Sequence, residues 1–179
     1  MKNKYNIFLD LDETIISAIE FENYDKNKLE NDKRKNNFTF YTMGKDYIVF
    51  ERPHLQEFLD YLFENFNVSI WTAASKIYSL FIIQNIVLKK PNRKLDYIFF
   101  SYHCDLSEKF KNGLKDLSLL WDTYKLPKYK DTNTVIIDDN PDVKKTGFCI
   151  SAPEFIFTNI NSENDTFLIE LTNKLKKIN

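Results

Sequence analysis

The stretch Asn6–Thr14, NIFLDLDET, constrains the fold of this chain more than any other. Ile7, Phe8 and Leu9 form an apolar run of the length expected for a strand buried on both faces, and too short for a helix. The run ends in Asp10 and Asp12, with Leu11 between them. Alternate side chains of a strand share a face. The spacing therefore predicts that Asp10 and Asp12 open into one cavity while Leu11 packs into the core. Converging carboxylates repel each other, so the arrangement calls for a cation or a shared proton. In an open parallel sheet, ligands bind at the carboxyl ends of the strands. The expectation is a metal-assisted acid–base site. A lone D-x-D also marks solvated strand ends and helix caps, so the reading depends on what distant segments add.

The rest of the chain supplies alternating elements. The charged stretch Asp25–Asn37, which contains Lys33-Arg34-Lys35, predicts a mobile surface loop. FTFYTMGKDYIVF, Phe38–Phe50, predicts a hairpin turning at Met43-Gly44-Lys45-Asp46. Pro53 suits the first turn of a helix, and Leu55, Phe58, Leu59, Leu62, Phe63 and Phe66 lie along one helical face. His54 at its start is read as structural. Asn67–Ser75 predicts a second buried strand, followed by a helix over about Lys76–Leu88. Tyr97–Tyr102 predicts a third strand, Asp105–Gly113 an irregular segment, and Lys115–Leu120 a short helix. Trp121–Thr132 reads as a loop, and Thr134–Pro141 as a strand that also ends in two acids. GFCIS and FIFTNI read as short extended pieces, and Asn164–Lys177 as a closing helix. Strands alternating with helices imply βαβ units and a mainly parallel central sheet flanked by helices, an α/β fold.

Bulk properties narrow the function. A chain of 179 residues is sized for one domain with a substantial core. A net charge of −1 leaves no electrostatic footprint for nucleic acid or an anionic membrane. Cys104 and Cys149 stand far apart without partners at metal-ligand spacing, which points to buried or free thiols in a reducing compartment rather than a disulfide framework. No apolar run approaches the roughly 18 residues of a membrane span, and the first strand begins too near Met1 for a secretory leader. The expectation is an intracellular protein, cytoplasmic or nuclear, and a monomer.

Three strands thus end in polar chemistry, at Asp10/Asp12, at Thr72 and at Asp138/Asp139, and Lys115 lies before the last of them. An oxygen-rich acidic site of this kind suits Mg²⁺. A lysine beside it would serve a ligand more negative than the metal can neutralise, and a phosphoryl group fits. The order DLDET, WTAAS, KDLSLL, VIIDDNP resembles the haloacid dehalogenase superfamily of phosphohydrolases. Within it, the chain resembles the small phosphatases that act on the RNA polymerase II C-terminal domain. Glu13 after the second aspartate, RPHLQEFL and KDLSLL are similar to that group's motifs, and the likeness spans Ile7 to Pro141.

The resemblance implies a Rossmannoid core with the following roles. Asp10 would be the nucleophile that forms an aspartyl-phosphate, and Asp12 the acid and then the base. Thr72 would bond a phosphoryl oxygen, and Lys115 would neutralise charge on the phosphoryl group and on Asp10. Mg²⁺ would be held by Asp10, the Asp12 carbonyl and Asp139, with Asp138 orienting that shell or Lys115. Asp139 stands where some relatives carry Asn, which Mg²⁺ tolerates. Asp12 must be protonated for the first step although a free Asp has a pKa of about 3.9, so it should titrate together with Asp10.

The segments between motifs have no room for a large cap domain, so the site should be open to a residue on a protein chain. The whole chain reads as one domain with a loop and hairpin insertion at about residues 17–50. The hairpin aromatics Phe38, Phe40, Tyr41 and Tyr47 either pack on the domain or form a wall for an extended peptide. The expected partner is a phosphorylated protein or peptide, a phosphoserine or phosphothreonine substrate, with neither membrane nor nucleic acid. Two alternatives stand beside this. One is a nucleic-acid 3′-end phosphatase, which would need a basic groove. The other is a non-catalytic scaffold, as in a mitochondrial import translocase subunit of the same fold.

Overall fold

The computed structural model describes residues 5–22, 33–110 and 114–177. Five strands, β1 (Asn6–Leu9), β5 (Asn67–Trp71), β6 (Ile98–Phe99), β7 (Thr134–Asp138) and β8 (Cys149–Ser151), form one parallel sheet in the order β6-β5-β1-β7-β8. β1 lies in the middle, so both its faces must be apolar. Ile7 and Leu9 enter the core under α1 (Leu55–Asn65), α2 (Lys76–Ile82) and α5 (Phe167–Lys176). Phe8 enters the opposite core with Trp71, Phe99, Leu117, Leu120 and Tyr129. Each fully buried side chain of this size contributes roughly 1.5–3 kcal/mol relative to exposure. Helices on both faces of a parallel sheet confirm the α/β reading.

The periodic apolar face assigned to the first helix is the one that α1 buries: Leu55, Phe58, Leu59, Leu62 and Phe63 are covered. α2 continues into a π-helical turn over Ile83–Val87, so the helix has the expected extent with a wider last turn. α4 (Pro141–Lys144) starts with Asn140, whose side chain accepts from the Asp142 N–H.

The hairpin belongs to a larger unit. β2 (Ile16–Glu20), β3 (Phe40–Met43) and β4 (Tyr47–Glu51) form an antiparallel sheet in the order β2-β4-β3, with Gly44 at φ 56 in the tight turn. β4 alternates between two buried faces. Tyr47 and Val49 pack toward the main core, while Ile48 and Phe50 pack against Phe38, Phe155 and Phe157.

Several expectations are corrected. β2 replaces what read as the start of a loop. Of the stretch Asp25–Asn37, Lys33–Asn37 forms a 3-10 turn, and residues 23–32 lie outside the described residues. The third strand is only Ile98–Phe99, because α3 (Ser101–Phe110) begins there and takes up much of the stretch expected to be irregular. The remainder, residues 111–113, lies outside the described residues. No helix spans Lys115–Leu120; a π-helical turn covers Leu119–Thr123 instead. Phe155 and Phe157 lie outside any strand, since their alternation reflects shared burial against the hairpin and not a ladder. The last helix starts at Phe167, preceded by a 3-10 turn at Ser162–Asn164. No described helix is long and apolar enough to cross a membrane.

Candidate active site

The strand register assembles the site. Phe8 of β1 pairs with Ile136 of β7, so two residues further along the same face Asp10 comes beside Asp138. The segment that follows α3 covers that face through Leu117, Leu119 and Leu120, and it carries Lys115 to the same place. The Lys115 Nζ lies 2.6 Å from Asp10 Oδ1 and 2.8 Å from Asp138 Oδ2. All three are buried, at 3%, 6% and 0% exposure, so these are charge-assisted bonds in a medium that strengthens them. Asp138 Oδ1 accepts from the Asn140 N–H at 2.9 Å, which fixes the carboxylate on both sides.

Asp139 turns toward Thr14. The Thr14 hydroxyl donates to Asp139 Oδ1 at 2.7 Å and accepts from the Asp139 N–H at 3.1 Å; it also lies 3.5 Å from Asp10 Oδ2. Thr14 reaches back because the chain reverses at Glu13, which adopts the left-handed region at φ 58, at a cost of roughly 1–2 kcal/mol for a non-glycine residue. Arg52 holds the reversal: its Nη1 donates to the carbonyls of Thr14 and Pro153, at 2.8 and 2.9 Å, while Nε and Nη2 pair with Asp165.

Asp12 has a hydrogen-bond partner of its own. β1 ends at Leu9, so strand alternation does not carry the Asp12 carboxylate to the same partners as Asp10. Instead the Tyr78 hydroxyl of α2 donates to Asp12 Oδ1 at 2.5 Å. Thr72 stands just beyond β5, beside β1, and its hydroxyl oxygen accepts from the Ala74 N–H at 3.1 Å. A groove of about 650 Å³ opens beside Asp12, walled by Glu20, Tyr47, Ala74, Ser75 and Tyr78 among others.

The electrostatics follow from burial. Burial pushes the Asp10 carboxyl up to about 7, against the pull of Lys115 and with the help of Asp138. Burial also raises Asp12, opposed by the Tyr78 hydrogen bond and by Lys115. Burial works against the Lys115 ammonium, but Asp10 and Asp138 outweigh it and the amine is held above its ordinary value. Burial first, and then the Asp12 carboxylate, drive the Tyr78 phenol far above its usual range, so it stays a hydrogen donor.

Asp10, Asp138 and Asp139 each offer an oxygen, all within 4.8 Å of one another, the one such group among the described residues. Three carboxylates against one ammonium leave excess negative charge in a buried place, and an all-oxygen donor set suits a hard divalent cation. The residues therefore fit Mg²⁺.

The structure thus brings Asp10, Lys115, Asp138 and Asp139 together, and Asp12 lines the groove. It separates Phe38, Phe40 and Tyr41 from them. Phe38 is 8% exposed, and its ring lies 5.2 Å from Phe157 and 6.0 Å from Phe50. Phe40 is exposed and leans on Phe50, and neither ring lines the groove. Tyr41 is occupied with Glu51 and Lys89. Of the four hairpin aromatics, Tyr47 lines the groove, with Tyr78 beside it. Two site residues escaped the sequence reading. Thr14 has no signal in strand spacing, because it reaches Asp139 through the reversal at Glu13 and not along β1. Tyr78 has no local signal, because its partner is 66 positions away.

A model of the NLI interacting factor-like phosphatase family matches residues 5–179. The CTD phosphatase-like protein 355R of Invertebrate iridescent virus 6 is 44% identical over 179 residues, covering 96% of this chain and 97% of the viral protein. Its counterpart in Invertebrate iridescent virus 3 is 37% identical, covering 95% and 94%. Among solved structures, the fission yeast RNA polymerase II CTD phosphatase Fcp1 bound to beryllium fluoride aligns with a TM-score of 0.57 at 18% identity. That alignment covers 97% of this chain and 50% of the Fcp1 chain, so this chain spans about half its length. The chain belongs to the NLI interacting factor-like phosphatase family, and its fold is of the haloacid dehalogenase type.

Proposed function

We propose that this chain is a Mg²⁺-dependent phosphoprotein phosphatase that acts on phosphoserine or phosphothreonine through an aspartyl-phosphate on Asp10. The RNA polymerase II C-terminal domain, for which the relatives are named, is the first substrate to try. The observation that carries the reading is the Lys115 ammonium lodged between the buried carboxylates of Asp10 and Asp138. A cation so placed offsets the charge of an incoming phosphate and of the nucleophile that must approach it. Asp10 attacks phosphorus, the bond to the serine oxygen breaks, and Asp12 gives its proton to that oxygen. Asp12 then takes a proton from water, which attacks phosphorus and frees Asp10 and inorganic phosphate. Splitting the hydrolysis in this way replaces one difficult step with two easier ones. Acid–base help of this kind is worth roughly 10²–10⁴-fold. Asp10, Asp139 and the Asp12 carbonyl would hold Mg²⁺, with Asp138 orienting Lys115. The bound ion would supply further charge neutralisation at the phosphoryl oxygens.

The open groove supports a substrate residue presented on a peptide. It also argues against a nucleic-acid end, because its charged walls among the described residues are Asp12, Glu13 and Glu20, all acidic. The test is release of phosphate from phosphoserine peptides of the polymerase tail, with and without Mg²⁺. The wild-type chain should act only with the metal, and Asp10→Asn should fall to background. Asp12→Asn should fold normally and lose turnover of the peptide; near-normal peptide hydrolysis by that variant would sink the assignment.

A further inference from the structure

Asp12 is asked to deliver a proton to a leaving oxygen, yet a carboxylic acid has two oxygens and only one can face that way. The structure offers a means of choosing. The Tyr78 hydroxyl donates to Asp12 Oδ1 at 2.5 Å. An oxygen that accepts from a phenol is the poorer place for the carboxyl's own proton, which then rides on the other oxygen. Tyr78 is well anchored for this. It lies in α2 at 9% exposure, its ring meets Tyr47 edge-on at 5.1 Å, and the buried Ile82 and Ile83 fix the helix behind it. Tyr78 and Asp12 both line the groove, and the Tyr78 hydroxyl reaches the proton-transfer group through its bond to Asp12.

We infer that Tyr78 is a positioning residue that holds Asp12 Oδ1 and thereby assigns the catalytic proton to Oδ2, turned toward the leaving group. The inference rests on the phosphatase reading and deepens it. In the first step the proton leaves Oδ2 for the serine oxygen as the phosphorus–oxygen bond breaks. The Tyr78 hydrogen bond then stabilises the carboxylate left behind.

The test is Tyr78→Phe, which keeps the ring and its packing and removes the donor. kcat/KM, which reports the steps up to loss of the leaving group, is compared for three substrates in Mg²⁺: p-nitrophenyl phosphate, phenyl phosphate and a phosphoserine peptide. The nitrophenolate departs without a proton, whereas phenol and serine need one. The loss should be about tenfold larger for phenyl phosphate and for the peptide than for p-nitrophenyl phosphate, a share of the roughly 10²–10⁴-fold that a general acid supplies. Equal losses on all three, or no loss on any, would overturn the inference and leave Tyr78 structural. A loss confined to the peptide would also overturn it and make Tyr78 a peptide contact. A wild-type chain inert toward all three would fail the phosphatase reading itself, and the inference with it.

Discussion

The two sheets of this molecule bury opposite kinds of surface. The carboxyl edge of the parallel sheet hides Asp10, Asp138 and Lys115 at single-digit exposure. The antiparallel sheet β2-β4-β3 hides rings: Phe50 stacks on Phe157 with centroids 3.7 Å apart, and Phe38 and Phe155 close the cluster. Burying charge costs several kcal/mol per ion unless partners replace water, whereas burying a ring is favourable outright. The first region is therefore poised to gain from a cation or a phosphoryl group, whereas the phenylalanine cluster of the second gains from its own packing. Arg52 joins the two, stacked over Phe155 and Phe167 while it holds the Thr14 carbonyl.

This contrast can be broken most sharply at Lys115. Lys115→Met leaves two buried carboxylates without their ammonium. Activity should fall to background, and urea unfolding should show a loss of roughly 3–5 kcal/mol, the usual consequence of breaking a buried ion pair. Phe50→Ala should cost about as much stability, roughly 3–5 kcal/mol. Its turnover of a small aryl phosphate per folded molecule should stay normal, because the ring packs away from the carboxylates. If Phe50→Ala lost turnover while keeping stability, the division between the regions would be wrong.

A smaller effect sharpens the division through pH. The Asp10 carboxyl is raised from 3.8 to about 7 by burial, with Lys115 opposing. The folded chain thus holds a proton that the unfolded chain releases between these values. The associated stability is fully present below about pH 4 and is lost as pH rises through about 7. In chelator, melting temperature should decline across that window, and Asp10→Asn should flatten the decline. Added Mg²⁺ should stabilise more at pH 7.5 than at pH 5, because binding needs ionised carboxylates. The smallest effect belongs to Phe40→Ala: the ring is 42% exposed, so stability should move by no more than about 0.5 kcal/mol, and KM for a phosphopeptide should not change.

What could be read from the sequence divides along the same line. β1, β5 and β7 announce themselves as apolar runs that end in polar residues, and the strand register then dictates that Asp10 meets Asp138. Lys115 was legible only through the order of motifs, since nothing local says that its segment covers the Phe8 face of the sheet. The aromatic sheet was far less legible. Ile16–Glu20 is short and mixed in character, so β2 went unseen. Phe155 and Phe157 alternate like a strand but pair with no strand. Tyr97–Tyr102 looked extended because of its aromatics, although helix formation from Ser101 won over most of its second half. The Tyr78–Asp12 bond joins two elements far apart in the chain and belongs to tertiary structure alone.

The most direct test of the central claim is where the phosphoryl group resides in mid-reaction. Asp12→Asn protein mixed with p-nitrophenyl phosphate and Mg²⁺, quenched in acid and mapped by mass spectrometry, should carry one phosphoryl group on Asp10. The same label should be missing when Asp10 is also replaced by Asn. A phosphoryl group on any other residue, or phosphate release by the Asp10→Asn protein at the wild-type rate, would contradict the account.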